Sequence, residues 1–132
     1  MSKSCVYVLN QNPIFRGMFS LSVKMLRFHN PKIPVKVIYV EDAGVDNYLP
    51  SLKLGQYISA DNAKKYLKTE EKDLFELCEK LNVEVLRLPP PIRELNPFNS
   101  THRIHLSKIQ DESVLLLDSD TFIFSDVESL FE

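Results

Sequence analysis

Asp118 and Asp120, separated by Ser119 and preceded by the apolar run Val114 to Leu117, are the side chains of this 132-residue sequence best placed to do chemistry. Like charges two residues apart raise each other's pKa and favour a shared proton or a bound cation. On an extended chain, residues i and i+2 point to the same side, so both carboxylates could address one hard cation while Ser119 faces away. Magnesium and manganese take oxygen ligands, often one or two carboxylates completed by phosphate oxygens and water. Held against a diphosphate, such a cation would stabilise the charge that develops as the diphosphate departs. The plainer alternative is that the two aspartates cap the turn that leaves a strand.

The elements that must position this pair follow from hydrophobic periodicity. Strand-like runs cover residues 5–9, 35–40, 83–88 and 113–117. Between the first two, Ile14, Met18, Leu21, Met25 and Phe28 fall at helical spacing, with Pro13 suited to the first turn and "HNPKIP" ending the helix. A second helix is expected to start at Thr69 as N-cap, with Glu70 and Glu71 near its positive end. It carries the stripe Leu74, Phe75, Cys78 and Leu81 and stops at Asn82. A shorter helix is expected from about residue 100 to 109. Residues 43–60 hold Gly44, Pro50 and Gly55 and show no period.

This alternation of strand and helix predicts one α/β domain, residues 1–132, with a mostly parallel, doubly wound, Rossmann-like sheet and helices on both faces. Right-handed crossovers suggest the strand order 3-2-1-4. Strands one and four are then neighbours at the switch point, where such sheets bind ligands at the carboxyl ends of their strands. Asn10, Gln11 and Asn12 leave strand one there, and Asp118 and Asp120 leave strand four.

Composition narrows the classes of function. Sixteen basic and eighteen acidic residues are scattered along the chain, for a net charge of -2. That balance offers no footprint for nucleic acid or anionic lipid. The longest apolar run, Cys5 to Leu9, is far short of the roughly 18 residues of a membrane span. No signal-peptide hydrophobic region opens the chain, and Cys5 and Cys78 sit in apolar patterns that read as buried thiols. A cytoplasmic protein is expected.

"VLLLDSDTFIFSDVESLF" resembles the D-x-D segment of GT-A glycosyltransferases, especially family 8, the glycogenin and lipopolysaccharide galactosyltransferase group. There an apolar strand runs into Asp-x-Asp and continues into a short hydrophobic strand. "VYVLNQNPIFRGMFSLSVKML" and "PVKVIYVEDAGV" are similar to that family's first strand, helix and second strand, and "THRIHLSKI" to the helix before the metal motif. The resemblance implies metal-dependent transfer of a sugar from a nucleotide-sugar, commonly a UDP-sugar, to a glycan or other acceptor, with Mn²⁺ or Mg²⁺ as cofactor. Asp118 and Asp120 would hold the metal and, with Ser119, the donor diphosphate region. Asn10 and Asn12 would contact the nucleoside, and Arg103 would lie near the sugar or phosphates. The family draws a further histidine ligand and its acceptor site from beyond the D-x-D, and this sequence ends at Glu132. The expectation is therefore a nucleotide-sugar-binding part, incomplete at its C-terminus, with an open sheet edge beyond strand four suited to self-association. His29, His102 and His105 have no spacing that supplies the further ligand.

Two other readings compete. A non-catalytic half-domain would bind nucleotide, or a partner chain, without turnover. A haloacid-dehalogenase-like phosphatase also sets an aspartate and a second acid after a buried strand, but it needs threonine four residues after the first, where this chain has Phe122.

Overall fold

The computed structural model describes residues 2–11, 13–41, 60–89 and 105–131. Four strands, β1 (Lys3–Leu9), β2 (Val35–Val40), β3 (Val83–Leu88) and β4 (Ser113–Leu117), form one sheet in the order β3-β2-β1-β4. Every neighbouring pair is parallel, and Tyr7 of β1 lies opposite both Val37 of β2 and Leu117 of β4. The α/β class and the 3-2-1-4 order are thus those the sequence predicts.

The two central strands are apolar at nearly every position because both of their faces are covered. Helix α1 (Pro13–His29) and helix α2 (Ala60–Lys80) cover one face. There Cys5, Tyr7, Leu9, Val37 and Tyr39 pack against Phe19, Val23 and Leu26 of α1 and Leu74 and Cys78 of α2. On the opposite face, Val6, Val8, Ile38 and Val40 meet Leu106 and Ile109, which belong to a short 3-10 segment at residues 105–108 and its exit. Two same-direction crossovers place both helices on one side, and the return to β4 must use the other.

Several local readings change. Position 69 is not a helix start: α2 begins nine residues earlier, and Thr69 Oγ1 donates to the Lys65 carbonyl at 3.0 Å, so the hydroxyl is satisfied inside the helix. The helix expected from about residue 100 is a 3-10 turn at 105–108; residues 100–104 lie outside the described residues, as do 42–59. The stripe of α1 that faces the core is Phe19, Val23 and Leu26, not the Met18, Leu21 and Phe28 series, which is exposed. Asn82 does end α2, in the left-handed region at φ 55°, which asparagine tolerates better than most residues.

Three polar ties fix the connections. Arg27 donates to the carbonyls of Ile33 (2.7 Å), Leu81 (3.0 Å) and Asn82 (3.2 Å), joining the end of α1 to the α2–β3 turn. Lys36 Nζ and Ser4 Oγ reach Asp111 Oδ2 at 2.6 and 2.8 Å, anchoring the chain just before β4. Lys3 and Glu128 form an ion pair across the start of β1. Cys5 and Cys78 are buried free thiols, each pushed up to about 11 by burial. Among the described residues no helix is long and apolar enough to cross a membrane.

Lys36, and after it Ser4, holds the Asp111 carboxyl below the usual carboxylate value. A depressed folded-state pKa contributes stability that is present above the unfolded value of about 3.9 and is lost as pH falls below it. Asp111→Asn should therefore lower the urea midpoint at pH 7 and flatten its decline between about pH 5 and 3. An unchanged acid slope in the variant would contradict this assignment.

Candidate functional site

The switch point between β1 and β4 holds a small cavity of about 210 Å³. Val8 of β1, Phe15 of α1 and Leu116 of β4 form its apolar walls, and Asp118, Ser119 and Asp120 form its polar rim. A strand-end carboxylate pair thus meets the one place in this topology where crossovers diverge and leave a crevice. The larger concavity, about 700 Å³, lies along β3 and the start of β2 between residues such as Lys32, Val83 and Val85, away from the switch point.

The aspartates do not stand on an extended strand. The Thr121 amide donates to the Asp118 carbonyl at 3.0 Å and closes a tight turn over residues 118–121. In that turn Ser119 shares the cavity rim with both aspartates rather than facing away. Asp118 and Asp120 are exposed, so both side chains are accessible from solvent.

What holds the turn is a buried polar chain. Ser22 Oγ, on the core face of α1, donates to the Thr121 carbonyl, and the Tyr7 hydroxyl lies 2.8 Å from Ser22 Oγ. With its proton given to Thr121, Ser22 accepts from Tyr7. Burial pushes the Tyr7 phenol up to about 12, so it stays a donor at neutral pH. Its ring meets Phe19 edge to face, with centroids 4.9 Å apart.

Farther along, Asn30 clamps the returning strap. Its amide nitrogen donates to the carbonyls of Leu26 (3.2 Å) and Ser125 (3.0 Å), and its oxygen accepts from the Val127 amide at 2.9 Å. Between these ties Ile123 packs into the core while Phe122 and Phe124 are exposed. Residues 121–124 form no strand, unlike the short hydrophobic strand that the resemblance implies.

The remaining sequence-predicted groups are distributed as follows. Asn10 follows β1 at the same end of the sheet but is only 1% exposed and is not on the cavity lining. Asn12, Arg103 and His102 lie outside the described residues. His105 is buried; its Nε2 donates to the Pro89 carbonyl at 2.7 Å, a structural bond that stitches 105–108 to the end of β3. His29 lies edge-on to the Phe28 ring, 5.0 Å away.

Two carboxylates from one turn, open to solvent and rimming a cavity, suit a hard cation that brings phosphate and water as its other ligands. They do not form a closed protein site: among the described residues no three His, Cys, Asp or Glu side chains gather to hold a metal. At about 210 Å³ the cavity is smaller than the roughly 300–1,000 Å³ of sites that engulf a whole small molecule. It has room for a cation and phosphate oxygens, with the rest of a ligand lying outside.

Val8 and Phe15 as walls, and Ser22, Tyr7 and Asn30 as supports, were not singled out by the sequence reading. Ser22 and Asn30 carried a faint signal, being polar residues at positions flanking the buried face of α1. Comparison with protein-family models, curated proteins and solved structures yields no match.

Ser22→Ala removes the donor to Thr121 and the acceptor of Tyr7, leaving two buried polar groups unsatisfied, at about 1–3 kcal/mol of stability. Hydrogen exchange of the Thr121 amide should accelerate in the variant, and the unfolding midpoint should fall. Unchanged Thr121 protection would mean that Ser22 does not hold the turn.

Proposed function

We propose that the chain binds a nucleoside diphosphate sugar, a UDP-sugar in the first instance, through a divalent cation at Asp118 and Asp120, and that this binding serves glycosyl transfer of the GT-A type to a glycan or other acceptor. One observation carries the reading: the Asp118-Ser119-Asp120 turn rims a cavity at the β1/β4 switch point of a 3-2-1-4 parallel sheet. The resemblance of residues 114–131 to the D-x-D segment of family 8 gives that geometry its chemistry.

In this reading Asp118 and Asp120 hold Mn²⁺ or Mg²⁺, and Ser119 offers its hydroxyl or amide to a phosphate oxygen. When bound, the cation supplies charge neutralisation for a departing diphosphate. Phe15 and Val8 keep the inner side of the site dry, which strengthens electrostatic contacts at its rim. Asn10, expected at the nucleoside with Asn12, is buried and off the cavity lining; Asn12 and Arg103 remain candidates for the nucleoside and the sugar or phosphates. Buried, unpaired thiols at Cys5 and Cys78 agree with a reducing compartment such as the cytoplasm.

A second reading, nucleotide binding without turnover, draws on the sparse acid–base equipment: among the described residues the carboxylate pair has no third ligating side chain beside it. A sugar-transfer or donor-hydrolysis assay separates the two.

Calorimetry of UDP with Mn²⁺ tests the shared element of both. Asp120→Asn should weaken Mn²⁺-dependent UDP binding by about tenfold or more, equivalent to about 1.4 kcal/mol. It should leave the melting temperature unchanged or slightly raised, because it removes a like charge beside Asp118. Equal UDP affinity in EDTA and in Mn²⁺ would refute the metal assignment.

A further inference from the structure

Thr121 is bonded through both its amide and its carbonyl. The amide donates to the Asp118 carbonyl at 3.0 Å. Because that amide belongs to the peptide unit that Asp120 begins, one hydrogen bond ties the backbones of the two aspartates together. The carbonyl accepts from Ser22 Oγ, which itself lies 2.8 Å from the Tyr7 hydroxyl.

Tyr7 therefore reaches the carboxylate pair by two routes. Through its backbone it stands opposite Leu117 in the β1–β4 ladder, which fixes where Asp118 leaves the sheet. Through its hydroxyl and Ser22 it fixes Thr121, and so the path by which the chain leaves Asp120. Tyr7 and Ser22 are wholly buried, as are Phe19 and Val23 on either side of Ser22, so the brace has a close-packed backing. Packing alone gives no reason for two hydroxyls here. Phenylalanine and alanine would fill nearly the same shape, and replacing both partners of a buried bond by apolar groups of one shape is nearly neutral. Apolar side chains would not, however, hold the Thr121 carbonyl.

We infer that Tyr7 is a positioning residue for the cation site, acting through Ser22 and Thr121, and that this brace makes the Asp118–Asp120 pair selective for a small octahedral cation. The inference rests on the cation–diphosphate reading above. Mg²⁺ demands near-ideal octahedral geometry with oxygens at about 2.0–2.1 Å. Ca²⁺ accepts about six to eight oxygens at about 2.3–2.6 Å in flexible arrangements. Two carboxylates on a braced turn keep one separation, which suits the more exacting ion. On a loosened turn the pair can spread, and the larger ion loses less.

Calorimetry of UDP in Mg²⁺ and in Ca²⁺, combined with amide hydrogen exchange of the metal-free protein, provides the test. Wild type should bind UDP more tightly with Mg²⁺ than with Ca²⁺. Tyr7→Phe removes only the hydroxyl. It should accelerate Thr121 exchange and cut the Mg²⁺-to-Ca²⁺ affinity ratio about threefold or more, the scale of one hydrogen bond. Ser22→Ala, which removes the direct bond, should cut the ratio at least as far. Ser4→Ala is the control, because it deletes a buried hydroxyl bonded to Asp111 at 2.8 Å at the opposite end of β1. It should cost stability and leave the ratio unchanged, since a general loss of folded protein lowers both affinities in proportion.

Unchanged Thr121 exchange in Tyr7→Phe, or a wild-type ratio in that variant, would overturn the inference and leave the cation site standing. So would a wild type without preference for Mg²⁺, or a ratio that Ser4→Ala lowers equally. Wild-type UDP binding indifferent to EDTA would instead refute the site itself.

Discussion

The pairing of β1 with β4 is the constraint on which the rest of the molecule depends. It sets Lys3 opposite Ser113 and Tyr7 opposite Leu117, joining the two ends of the described chain in one register. Closing so long a loop costs entropy, though only logarithmically in its length. The hydrogen bonds of the ladder and the burial of β1 on both faces offset that cost. Because β1 also pairs with β2, the same strand fixes where the crossovers diverge. The crevice at the strand ends, and the carboxylates that rim it, exist only because β4 docks there.

A second layer of control acts through polar groups inside an otherwise apolar layer. Tyr7, Ser22 and Asn30 are each nearly or wholly buried, and each has hydrogen-bonding partners within the chain. Unpaired, such groups would be costly in the core, so their bonds specify one path for the strap after β4. That path returns over α1, sets the 118–121 turn at the cavity rim and leaves two phenylalanine rings on the surface. The site and the exposed rings of Phe122 and Phe124 are two consequences of one strap.

The legible and illegible parts of the sequence divide along physical lines. Strands 35–40, 83–88 and 113–117 could be read to the residue, because β-branched and apolar runs bounded by polar or proline residues leave little choice. The order 3-2-1-4 followed from crossover handedness. Helix α1 misled because it carries two apolar stripes, and periodicity alone does not say which one faces the sheet. Thr69 misled because a hydroxyl that would cap a helix start can equally bond back to the turn before it. In the site, the carboxylate pair announced itself by charge. Its supports did not, since a serine or asparagine beside an apolar stripe gains meaning only once its distant partner carbonyl is known.

Paramagnetic broadening by Mn²⁺ in the presence of UDP, followed residue by residue in amide NMR spectra, most directly tests the claim that the β1/β4 switch point is a cation–diphosphate site. The account predicts early loss of the Val8, Leu117, Asp118, Ser119 and Asp120 signals, with Val83 and Val85 at the far edge of the sheet unaffected. Broadening centred on β3 and the concavity beside it, or none at all near Asp118 and Asp120, would contradict it.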